Sequence, residues 1–172
     1  DYRTNPQAQI DMTKLHPRWT MPGRFYSVSF GDMFKFVVAD STFSDKCFSS
    51  ALCSVDFVEE ELQTTEKWKI VLAHHPLKTS GRKYPKASAV YRYLMGGTVC
   101  ESAHAYLSGH SHHLEHRPAT DECKADLFVS GSGGSDLYRL RKKPDPLAQF
   151  AKSARGFLEL EVSNKKLQWR FF

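Results

Sequence analysis

Four histidines stand within nine residues in the stretch SGHSHHLEH, which runs from Ser108 to His116. His110 and His112 sit in a Gly-His-x-His frame. Residues two apart point the same way in extended chain, so both imidazoles can face one pocket. Gly109 permits a tight turn and a close backbone approach at that point. A second candidate lies upstream, where His74 follows the apolar run KIVLA and precedes His75-Pro76. Neutral imidazole binds zinc, iron, manganese or copper, and strand ends that offer imidazole build metal sites at the rim of an open sheet. Three imidazoles with open positions can hold one zinc for hydrolysis. A two-metal phosphate site also needs a bridging carboxylate, and no acidic residue here stands in a suggestive frame. Asp32 falls in a hairpin turn and Asp40 ends a strand. His113, which points away from its neighbour, and His116 read as supporting or solvated histidines outside the ligand set.

The elements that must position these groups follow from local patterns. Residues 6–14 form a short helix, with Asn5 as cap and Pro6 at its first position. Residues 25–30 and 33–40 alternate apolar and polar residues around Gly31-Asp32, a hairpin signal. Ser54 caps a helix over residues 54–65, with Val55, Val58 and Leu62 on one face. Residues 69–73 form a buried strand that delivers the chain to His74. Residues 84–95 contain a helix ended by Gly96-Gly97, and residues 103–107 a strand leading into the histidine cluster. Residues 127–130 give way to the glycine-rich SGSGGS, and the tail folds back as a hairpin on either side of Asn164-Lys165. Strands and helices interleave, which favours an α/β or mixed layered fold.

The chain has 172 residues, about the size of one domain. Its 41% hydrophobic and 13% aromatic content suits a packed core rather than disorder. A formal charge of +5 suits an anionic partner: a phosphate ester, a nucleic acid or an anionic surface. Nucleic acid is disfavoured, because no basic helix or aromatic platform appears and the histidines would have no role. No run of about 18 apolar residues spans a membrane, and the polar opening DYRTNPQAQI lacks a signal-peptide pattern. The four cysteines, Cys47, Cys53, Cys100 and Cys123, are consistent with two local disulfides or with four reduced thiols.

Several motifs, in order, resemble the calcineurin-like metallophosphoesterases and specifically the purple acid phosphatases, over nearly the whole chain. DYRTNPQAQIDMTKLHPRWTMPGRFYSVSF is similar to the segment that follows the family's G-N-H-[DE] motif. IVLAHHP and YLSGHSHHLEH are similar to its strand-end histidine and G-H-x-H motifs, and FVSGSGGSD and GFLELEVSNKKLQWRF to its closing strands. The resemblance implies an α/β fold, half of a four-layer β-sandwich flanked by helices, with residues 1–172 as the C-terminal half of the domain. His74 and His110 would then bind one metal and His112 the other, the pair being iron with iron, zinc or manganese. Asp1 would be the Asp of G-N-H-D and would orient the histidine before it; the remaining carboxylate ligands would come from an N-terminal half on a separate or cleaved chain. The implied activity is phosphomonoester hydrolysis by in-line attack on phosphorus, with cations stabilising the developing charge. Lys83 stands where many relatives carry a substrate-binding histidine; with His75 it would face a phosphate ester, although lysine is the poorer general acid near neutral pH. The family and the cysteines together imply a secreted, periplasmic or lumenal setting. The alternative is a phosphatase-like scaffold or interaction protein that keeps the fold without catalysis. Either way, half a sandwich would expose an apolar sheet face and strand edges, so the chain alone is expected to aggregate or dimerise.

Overall fold

A computed structural model describes residues 6–42, 48–82, 89–143 and 145–172. Asp1, Cys47 and Lys83 lie outside these residues. Among the described residues there are three helices, α1 (Pro6–Leu15), α2 (Phe48–Leu62) and α3 (Ala89–Ser102), and nine strands. These are β1 (Tyr26–Phe30), β2 (Phe34–Val38), β3 (Trp68–Leu72), β4 (Ala105–Ser108), β5 (Leu114–Arg117), β6 (Asp126–Ser130), β7 (Phe150–Lys152), β8 (Leu158–Val162) and β9 (Leu167–Phe171). Seven of them form one mixed sheet in the order β1-β2-β3-β4-β6-β5-β7, and β8 and β9 form a separate hairpin.

The first hairpin closes where Gly31 takes a left-handed φ of 56°, a conformation that suits a residue without Cβ. The centre of the sheet, β2-β3-β4-β6, is parallel. Parallel neighbours need crossovers, and α2 and α3 supply those from β2 to β3 and from β3 to β4. Alternation along the central strands then sorts the core into two layers. Val71 and Tyr106 face the helices, where Val55, Val58 and Leu62 of α2 meet Tyr91, Met95 and Val99 of α3. Their neighbours Ile70 and Ala105, with Phe128, face the opposite side and are covered by Leu160, Trp169 and Phe171 of the β8–β9 hairpin. Both faces of the central strands are therefore buried, as their continuous apolar runs require.

The structure departs from local expectation at three places. Helix α2 begins at Phe48, so Ser54 is no cap; it lies inside the helix, and its Oγ accepts a hydrogen bond from the Asp40 amide at 2.9 Å. Helix α3 runs through Gly96-Gly97 to Ser102, because its apolar stripe Tyr91-Met95-Val99 keeps packing past the glycines. Strands β5 and β7 carry no clear period of their own and are recruited by pairing with β6 and with each other. Cys100 and Cys123 form a disulfide joining the end of α3 to the turn before β6, while Cys53 is exposed. Among the described residues no helix is long and apolar enough to cross a membrane.

Candidate metal centre

Strands β2, β3, β4 and β6 are parallel, so their carboxyl ends share one edge of the sheet. The chain leaves β3 through Ala73 into His74 and leaves β4 through Gly109 into His110. The ladder continues past both strands: the Ala73 amide donates to Leu107 O at 3.0 Å, and the Gly109 and His110 amides donate to His74 O at 3.1 and 2.8 Å. This backbone lock sets the two imidazoles side by side. Nδ1 of His110 lies 2.9 Å from Nε2 of His74, so one ring donates and the other accepts. One ligand nitrogen each from His74, His75 and His110 fall within 4.8 Å of one another.

The His75 ring is buried, with Nδ1 2.9 Å from the Ser41 hydroxyl. The ring packs 4.9 Å from that of His74 and 4.5 Å from that of His110. His112 stands beside the cluster. Its ring stacks on Tyr138, and its Nδ1 meets the Asp136 carbonyl at 2.8 Å. A backbone carbonyl on Nδ1 fixes the tautomer and leaves Nε2 as the lone-pair donor, the arrangement that supports ligating histidines.

The electrostatics keep His74, His75 and His110 neutral. Burial, then the charge of a protonated His110, lowers the His74 pKa to about 4. Burial, then His110 and His74, lowers His75 to about 3. Burial and His112 lower His110 too. Neutral imidazole is the form that binds a cation, and a group of nitrogen donors with mutually repelling charged forms fits a metal ion. His74 and His110 are the residues that would hold it, with His112 adjoining. Among the described residues no carboxylate joins the cluster.

His113 and His116 are buried, not solvated. His113 Nε2 contacts Glu115 at 2.7 Å, and His116 Nε2 contacts Asp126 at 2.6 Å while its ring stacks on Phe128. Glu115 is the residue that sequence reading passed over. Only 1% exposed, it accepts from the Ser80 amide at 2.7 Å and the Ser80 hydroxyl at 2.9 Å, and it pairs with Arg117 at 3.0 Å. It thereby pins residues 79–82 beside the centre. The L-E-H-R alternation around it gave no sign of burial on both faces.

No protein-family model matches the chain. It is 25% identical over 197 residues to purple acid phosphatase 3 of Arabidopsis thaliana, spanning all of this chain and 52% of that protein. It is 24% identical over 200 residues to tartrate-resistant acid phosphatase type 5 of Sus scrofa, spanning 97% and 56%. The chain thus covers about half the length of the curated relatives it matches. Among solved structures, its fold overlays on the purple acid phosphatase PPD1 of yellow lupin seeds with a TM-score of 0.64, at 20% identity, over 85% of this chain and 30% of that one. It overlays on GAP50, the anchor in the inner membrane complex of Plasmodium, with a TM-score of 0.80, at 19% identity, over 99% and 58%. The chain is therefore similar in sequence to purple acid phosphatases and shares the α/β fold of a solved one over most of its length.

Proposed function

We propose that this chain supplies the histidine side of a two-metal centre that hydrolyses phosphomonoesters, the carboxylate side being contributed by the N-terminal half of the same domain. The observation that carries this reading is the convergence of neutral His74 and His110, 2.9 Å apart, at the carboxyl ends of adjacent parallel strands, with His112 beside them. The bound cations, iron with iron, zinc or manganese, would supply charge stabilisation at the reacting phosphate. The chain's own part is to orient the ligand rings through the His74 carbonyl and the Asp136 carbonyl, and to hold those of His74 and His110 neutral. Lys83 and Asp1 keep the roles that the resemblance implies, contact with phosphate oxygens and orientation of a neighbouring histidine. A secreted or lumenal setting agrees with the Cys100–Cys123 disulfide.

The test couples metal uptake to turnover. Zinc and manganese binding would be measured on the chain, and p-nitrophenyl phosphate hydrolysis on the chain alone and joined to a polypeptide carrying the carboxylate ligands. We expect metal uptake by the chain and turnover only by the joined protein. His110→Ala should weaken uptake by more than the roughly 10- to 100-fold that loss of a ligand's supporting partner costs. Absence of uptake by the wild-type chain overturns the metal assignment, and turnover by the chain alone refutes the missing-carboxylate account. A scaffold role is the second reading, favoured by the close overlay on the Plasmodium anchor. Metal uptake without turnover in the joined protein would decide for it.

A further inference from the structure

Next to His112 the loop after β6 returns to the centre and is clamped there. The Tyr138 amide donates to His112 O at 2.9 Å, answering the contact of His112 Nδ1 with Asp136 O. Arg155 braces the same loop through the carbonyls of Ser132 and Ser135. Beyond Tyr138 the chain pairs antiparallel with the segment that Glu115 pins. Gly81 bridges Leu140, the Arg82 amide donates to Arg139 O at 2.8 Å, and the Arg141 amide donates to Ser80 O at 3.0 Å. This register sets Arg82 directly opposite Arg139.

Like charges directly opposite across an antiparallel pair are destabilising. Both arginines are exposed, and among the described residues neither has an acidic partner within ion-pair distance. Instead they line a cleft of about 470 Å³ with Asp136, Leu137 and Tyr138. With Asp136 the lining carries one negative charge against two positive ones, so the cleft is net positive. Guanidinium groups bind phosphate bidentately, and a rigid backbone lowers the ordering that binding requires.

We propose that Arg82 and Arg139 form an anion subsite beside His112, which takes a second, non-scissile phosphate carried by the substrate. The inference rests on the phosphoester reading for the substrate it serves, but not for the subsite itself. It makes these arginines specificity-determining residues: esters with two phosphate groups are preferred to simple monoesters.

Titration calorimetry of the 172-residue chain in EDTA, with inorganic tripolyphosphate as probe, tests the subsite without metal or turnover. We expect tripolyphosphate to bind more tightly than orthophosphate. The double variant Arg82→Gln/Arg139→Gln should bind tripolyphosphate about tenfold more weakly, and Asp136→Asn should bind it a few-fold more tightly. Both changes are at exposed side chains, and an unshifted melting temperature will show that the fold is kept. His110→Ala should weaken zinc uptake and leave tripolyphosphate binding in EDTA unchanged, so the two readings fail separately. An unchanged affinity in the double variant, or no tripolyphosphate binding by the wild-type chain, overturns the subsite.

Discussion

At the scale of single residues, the centre depends on groups whose charge is set by their surroundings. Glu115 shows this best. Burial pushes its carboxyl up, but hydrogen bonds from His113 and from the Ser80 amide, with the charge of Arg117, outweigh it and leave the pKa below the usual value. Such a group contributes stability above its unfolded pKa and loses it as pH falls through the folded one. Its partners are themselves buried, so Glu115→Gln leaves the charge on Arg117 without one of its counter-charges. We expect a loss of about 3 kcal/mol or more, seen as a melting temperature lower by roughly 6–12 °C for a chain of this size. An unshifted melting curve would show that the network adds nothing to stability.

At the scale of elements, α3 records where pattern reading stops. Gly96-Gly97 looks like a helix terminus because glycine is the commonest residue just past a helix. What continues α3 is the buried stripe Tyr91-Met95-Val99 against α2 and the sheet, a contact between segments distant in sequence. Glycine inside a helix costs about 1 kcal/mol relative to alanine, and a Cβ at Gly96 would meet no atom within 4 Å. Gly96→Ala should therefore stabilise the chain by about 0.5–1 kcal/mol in urea denaturation; destabilisation would mean that the helix ends where the local signal placed it. The first hairpin and the closing hairpin were legible, since their two-residue alternation and turn residues are local. Strands β5 and β7 were not, since β5 is buried throughout and β7 is only three residues long.

At the scale of the whole molecule, acid and surface exposure set the behaviour. The folded-state pKa values of His74 and His75, about 4 and about 3, lie below their ordinary 6.5, and that of His104 is lowered by burial and by Lys69. Below pH 6.5 the unfolded chain takes up protons that the folded chain refuses, so this stabilisation is complete above that pH and shrinks as pH falls. The metal-free protein should melt roughly 5 °C or more lower at pH 5 than at pH 7; a flat profile in EDTA would contradict neutral, inward-packed imidazoles. The β8–β9 hairpin covers one sheet face around Phe128, but β1 is an edge strand with Val28 and Phe30 each more than 40% exposed. An exposed apolar edge templates pairing, so the chain alone should sediment as a dimer or larger species; a monodisperse monomer would argue that the edge is adequately protected.

The motif HHP after an apolar run, and the G-H-x-H frame after another, sufficed by themselves to nominate His74 and His110, because exit from a strand and ligand chemistry are both local properties. Their meeting was decided by tertiary structure: parallel pairing of β3 with β4 brings residues 36 apart in sequence to 2.9 Å. The same long-range packing turned His75 inward, buried Glu115 and set Arg82 against Arg139. None of these could be read along the chain, since side-chain environment comes from elements that are neighbours only in space.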